Sequence, residues 1–145
     1  MQANVNQSIN HDVMRKSKKL FMLLPFLVLA ACSGGNSPEG VAEKFNKALY
    51  TADFEGAKAL CTDDSKQAVD FVAAFASQNV EQMKKADIKY EVTNVIIAED
   101  ENSADVEGVV LGSIDLQKNE VKDSVDSKMH LVKVDGKWLV EYRLK

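Results

Sequence analysis

Proline and cysteine are scarce, with 2 of each in 145 residues. Two cysteines cannot build a disulfide framework, and so little proline excludes a proline-rich extended chain. With 2 His and no paired-cysteine spacing, the chain lacks the ligands of most zinc clusters. Charge of one sign is also in short supply: 18 Lys and Arg stand against 22 Asp and Glu, a net −4, with none of the basic excess that marks a nucleic-acid partner. There is no glycine-rich phosphate loop and no Ser-His-Asp order. No apolar run reaches the roughly 20 residues that span a bilayer. What is present, 46% hydrophobic and 28% charged residues, is the composition of one globular domain.

The longest apolar run, residues 20–31, follows Arg15-Lys16-Ser17-Lys18-Lys19. At about a dozen residues, with Pro25 inside it, the run suits the apolar core of an export signal behind its basic head. It ends in Leu29-Ala30-Ala31-Cys32, a large aliphatic residue and two small ones ahead of a cysteine. This resembles the lipobox of bacterial lipoproteins. The resemblance implies that residues 1–31 are a signal peptide, that the Cys32 thiolate takes a diacylglyceryl group, and that the new amino terminus is N-acylated. No other cofactor is expected. Met14 alone would head a compact signal and stands as the alternative start. Several acyl chains anchor a protein firmly in a membrane. Ser33, where an Asp would favour inner-membrane retention, points to the outer membrane facing the periplasm in a diderm organism. Residues 32–37, rich in Gly and Ser, read as the lipidated cysteine and a short tether. Residues 38–145 read as a single α+β domain. Cys61 is then the one thiol beyond the anchor, expected as a small buried hydrophobe.

Helical signals come first. Ser37-Pro38-Glu39 supplies an N-cap, a proline at the first helical position and an acid in the first turn, and Val41, Phe45, Ala48 and Leu49 follow on one face. Asp53 caps a second, short helix that turns Phe54, Ala57 and Leu60 inward. A third begins near Asp63, with Ala68, Val69, Phe71, Val72, Phe75 and Ala76 in one broad stripe, and is expected to run to about Lys85 with a kink near Asn79. After Asp87 the period becomes two. Ile88, Tyr90 and Val92 share a face, and the run Val95-Ile96-Ile97 breaks the alternation as a β-bulge would. A second strand carries Ala104, Val106, Gly108, Val110, Gly112, Ile114 and Leu116 on one face, its glycines implying a bend or a close approach. Asp135-Gly136 joins strands 125–134 and 137–145 in a two-residue hairpin. That turn sets Leu131 against Val140, His130 against Glu141 and Met129 against Tyr142, with Trp138, Val140, Tyr142 and Leu144 on the inner face.

Helices followed by four antiparallel strands, with Ser37-Pro38, then Asp53-Phe54-Glu55-Gly56-Ala57, then a closing Asp135-Gly136-Lys137-Trp138, resemble small lipoproteins of the nuclear-transport-factor-2-like (NTF2-like) superfamily. The resemblance implies a cystatin-like α+β fold, N-terminal helices packed on a strongly bent four-stranded antiparallel sheet, a cone able to hold an apolar pocket. Pocket residues expected on that basis are Phe71, Phe75, Tyr90, Met129, Trp138 and Tyr142. The superfamily's ketosteroid-isomerase-type enzymes use a buried acid and a Tyr–Asp pair. Here Glu91, Asp105, Glu107 and Asp115 alternate outward, so no catalytic residue and no metal ligand is assigned. His130 is expected in a surface ion pair with Glu141. The reading is a membrane-anchored, non-catalytic binding or interaction module for an apolar small molecule or another envelope protein; the alternative is a pocket enzyme or enzyme remnant. Val132, Val134 and Leu139 on the outer sheet face suggest a homodimer.

Replacing Cys32 by alanine is expected to abolish incorporation of labelled palmitate. Label retained in Cys32→Ala would exclude the lipobox reading.

Overall fold

The computed structural model describes residues 36–144, all within one compact unit, Gly35–Lys145. The expected signal peptide, Met14, Cys32, Ser33 and Lys145 lie outside the described residues.

Side-chain caps start the first two helices as their sequences dictate. Ser37 Oγ accepts the Gly40 N–H at 3.1 Å and opens α1 (Pro38–Tyr50). Asp53 Oδ1 accepts the Gly56 N–H at 3.0 Å and opens α2 (Phe54–Ala59). The expected kink near Asn79 is a full break: α3 spans Asp63–Phe75 and α4 only Val80–Met83. Among the described residues, no helix is long and apolar enough to cross a membrane.

Six strands follow: β1 (Lys89–Ile97), β2 (Ser103–Leu111), β3 (Ile114–Asp115), β4 (Glu120–Val121), β5 (Val125–Val134) and β6 (Lys137–Glu141). The main sheet is antiparallel in the order β1-β2-β5-β6, and β3 and β4 form a separate hairpin. The expected bulge is present: Val92 faces Gly108 and Asn94 faces Glu107, leaving Thr93 unpaired. The register set by the Asp135-Gly136 turn holds for Val134↔Lys137, Leu131↔Val140 and His130↔Glu141, but the expected Met129–Tyr142 pair does not form, because β6 ends at Glu141. Both turn residues have positive φ, 50° and 77°, as a two-residue hairpin turn needs.

Three strand expectations are corrected. β2 stops at Leu111, not Leu116, because Gly112 turns out of the ladder at φ 77°, where any Cβ would run into the Asp87 carbonyl oxygen. Gly108 makes room for a side chain, not a helix: a Cβ there would sit 2.6 Å from Tyr90 Cζ and Oη, so the Tyr90 ring covers the glycine. β6 ends at Glu141, and Leu144 is 47% exposed where the alternation put it inside.

The core lies between α1 and the sheet. Val41, Phe45, Ala48 and Leu49 pack on Val106, Val110, Leu131 and Val140, all of them buried. The far edge of β6 is closed by the link between α2 and α3. Val140 donates its N–H to Leu60 O at 2.9 Å and accepts from Thr62 N–H at 3.0 Å, with Cys61 bridged in parallel to Val140. Cys61 is buried, and burial raises its thiol pKa, as expected of a small structural hydrophobe.

The face of α3 is the main correction. It buries Ser65, Val69 and Ala76, with Val72 half-buried, while Phe71 and Phe75 are 62% and 60% exposed. Phe45→Ala should therefore cost about 3–5 kcal/mol, from lost burial and the cavity left behind. Phe71→Ala should stay within about 0.5 kcal/mol. Equal losses in urea melts would refute this assignment of faces.

Candidate functional site

A groove of about 630 Å³ opens between α1, β5 and the segment that follows β6. Its floor is apolar: Leu49 and Tyr50 from α1, Met129 from β5, Val140 from β6, and Tyr142 and Leu144 beyond it. Its rim is charged, with Asp105, Asp126, Lys128, His130, Glu141 and Arg143.

It opens where β6 stops pairing with β5, at Glu141. Beyond Glu141 the Tyr142 N–H, which like that of Val140 points away from β5, is taken by Ser65 Oγ at 2.9 Å. Ser65 is held in turn by the Thr62 hydroxyl at 2.7 Å, at the start of α3. Tyr142 then stacks its ring on Phe45, centroids 5.3 Å apart and planes tilted by 53°. A β6 carried further would fill the space beside β5.

The buried polar group of the floor is Asn46, which interrupts the apolar face of α1. Its Nδ2 donates to Ala42 O at 3.0 Å and approaches Met129 Sδ at 3.6 Å, and its Oδ1 accepts from the Ser127 hydroxyl at 3.4 Å. The amide is thereby satisfied on both ends, as a buried polar group requires. On the rim His130 Nδ1 meets Asp105 Oδ1 at 2.8 Å, Lys128 Nζ meets Glu107 Oε1 at 2.8 Å, and Arg143 reaches Glu141 at 3.5 Å. His130 does face Glu141 in the ladder, but its ion-pair partner is Asp105 on the strand at its other side, which corrects the expected pairing. Lys128 holds the Glu107 carboxyl below the usual range.

Of the six residues expected to line a pocket, the groove brings together Met129 and Tyr142. Tyr90 is buried over Gly108, outside the lining. Trp138 is buried under Lys133, whose Nζ stands 4.8 Å above its ring, and is also outside it. Phe71 and Phe75 face away from the core. The helical wall comes instead from α1, through Asn46, Leu49 and Tyr50. Sequence signals for two of the missed residues exist: Asn46 stands on an apolar helix face, and the hairpin register puts Ser127 on the inner face with Met129 and Leu131. The outer sheet face expected to dimerise has Val132 and Leu139 half-buried and Val134 44% exposed, beside the two ion-paired rows of Asp105–His130 and Glu107–Lys128. Among the described residues, no three His, Cys, Asp or Glu cluster as a metal site.

No protein-family model and no curated protein matches the chain. Solved structures do. A Campylobacter jejuni protein named as a candidate NTF2-like transpeptidase is 23% identical, with 72% of this chain and 96% of that one covered and a TM-score of 0.50. A Nostoc punctiforme protein of unknown function with a cystatin-like fold is 17% identical over 69% of this chain and 80% of its own, with a TM-score of 0.48. At this identity the Campylobacter likeness shows the fold alone: α+β and NTF2-like.

The three tyrosines of the chain share one electrostatic signature. Burial raises the phenol pKa of Tyr50, Tyr90 and Tyr142 above the ordinary 10.0; Tyr142 adds to the effect on Tyr50, and Ser127 opposes it at Tyr90. The folded state thus favours the neutral phenols. Their contribution to stability is complete below the unfolded value of 10.0 and is lost as pH rises through the folded values. Phenolate absorbance of the native chain should appear at higher pH than that of the urea-unfolded chain. Coincident titration curves would refute the burial.

Proposed function

We propose that the chain is a membrane-anchored envelope lipoprotein whose NTF2-like domain is a non-catalytic binding module, holding an apolar small molecule or part of another envelope protein in the groove beside β5. The anchor rests on the sequence from Arg15 to Cys32. The observation that carries the binding reading is the make-up of the groove: an apolar floor with a single satisfied amide at Asn46 and charges kept to the rim. Sites for apolar ligands have this composition.

Turnover would need more. Acyl transfer, the chemistry in the name of the Campylobacter relative, needs a nucleophile beside a base. The groove's hydroxyl at Ser127 donates to the Asn46 carbonyl oxygen, and an amide cannot take its proton. An isomerase-type proton shuttle needs an acid facing the substrate from within. The carboxylates here stand at the rim, Asp105 on His130 and Glu141 on Arg143.

Methyl-labelled methionine reports on the groove directly, since Met129 lines it and Met83 is buried outside it. Titration of the full chain with fatty acids and aromatic amphiphiles should move the Met129 resonance, leave that of Met83 in place, and raise the melting temperature. An unmoved Met129 signal and constant melting temperature across the panel would overturn the apolar-ligand site.

A further inference from the structure

The apolar floor accounts for the side chains of the groove but not for its backbone. In a two-residue hairpin the closing pair is hydrogen-bonded, so Val134, Val132 and His130 direct N–H and C=O toward β6. Odd-numbered residues of β5 face β2 instead; the Lys133 N–H, for one, goes to Asn102 O at 2.8 Å. Continued down the strand, the alternation points the N–H and C=O of Lys128 and Asp126 to the β6 side. β6 has already ended opposite His130, while β2 goes on pairing with β5 as far as Val125. Two residues of an inner strand thus present a bare strand edge inside a groove. The outer edge of β6, by contrast, is covered by Leu60 and Thr62.

The rim charges are uneven in the same place. Lys128, His130, Asp105, Glu141 and Arg143 all have ion-pair partners, whereas Asp126, beside the bare edge, has none among the described residues.

We infer that the groove takes an extended peptide segment, paired antiparallel to β5 along Asp126–Lys128 in the space that a longer β6 would occupy. This rests on the groove being a ligand site and specifies the ligand. The side chain opposite Asp126 shares its outer face and is basic, forming the ion pair that Asp126 lacks. The next one, opposite Ser127, points to the floor against Met129 and Tyr142 and is apolar. Backbone hydrogen bonds supply affinity and the alternating side chains supply selectivity, as in other strand-addition sites.

The probe is the tetrapeptide acetyl-Thr-Val-Lys-Val-amide, with a copy N-methylated at the lysine amide, added to the full chain. The unmethylated peptide should slow hydrogen exchange of the Asp126 and Lys128 amides by about tenfold or more, since an exposed amide becomes a bonded one. The methylated copy should not. Lys128→Pro removes one free donor while sparing the β2 ladder and should abolish the effect, whereas Lys128→Ala, which loses the Glu107 ion pair alone, should retain it. Unchanged exchange at both amides, or equal action of the methylated peptide, overturns the proposal even if Lys128→Pro fails to fold. If fatty acids still shift Met129 in that case, the groove is an apolar-ligand site without strand pairing; if they do not, the binding reading falls with it.

Discussion

The hydrogen bond from Tyr142 N–H to Ser65 Oγ decides how α3 meets the sheet. Together with the backbone pair between Val140 and the Leu60–Thr62 link, it fastens the start of α3 to the outer edge of β6. An open edge of a sheet invites association, and here that edge is covered by the chain's own connector. The Tyr142 N–H lies on the edge away from β5, so this bond extends that cover by one residue, while the ladder to β5 ends at Glu141. One edge is thus closed while another, the lower half of β5, is left open, and the groove lies beside it. A serine buried on the packed face of a helix is a poor choice for apolar contact. At Ser65 it is retained where its hydroxyl has work with both Thr62 and Tyr142.

Where local chemistry determines the outcome, the sequence reads correctly. Ser37 and Asp53 cap their helices, and the Asp135-Gly136 turn fixes a register that carries through all of β6, as far as His130 on β5. The bulge beside Thr93 shows in the broken alternation. The face of α3 was not legible for a specific reason. Its apolar stripe is wide enough to hold two faces, one through Val69, Val72 and Ala76 and one through Phe71 and Phe75. Residue size favours the phenylalanines. The docking of the helix start on β6 selects the other face, and that docking depends on Ser65, which no apolar pattern counts. The site failed in the same way. Met129 and Tyr142 follow from the hairpin, but the opposite wall follows from which helix covers the sheet. α1 covers it, so Asn46, Leu49 and Tyr50 stand where Phe71 and Phe75 were expected.

Gly108 and Tyr90 show how one residue's absence of a side chain can be part of the packing. The Tyr90 ring lies where any Cβ at position 108 would be, so the strand pair β1–β2 is closed by an aromatic over a glycine. The Tyr90 hydroxyl is buried there without a partner in full hydrogen-bond geometry, with burial raising its pKa. Such a group costs on the order of 1–3 kcal/mol, which the ring's burial offsets. Tyr90 is thereby committed to the core.

The bare backbone of Asp126 and Lys128 also limits which ligands the groove can hold. While water fills the groove, the two N–H and two C=O groups are solvated and cost little. A wholly apolar ligand that covered them would strip that water and return nothing, at about 1–3 kcal/mol for each group left unpaired. Contact with Leu49, Met129, Tyr142 and Leu144 gains roughly 25 cal/mol for each Å² of apolar surface removed from water. Covering all four backbone groups would therefore cancel the gain from a few hundred Å² of contact. A ligand can avoid this loss in two ways: by lying on the floor clear of the β5 edge, or by bringing donors and acceptors at strand spacing. Apolar molecules are confined to the first mode, and an extended peptide can use both parts of the groove at once.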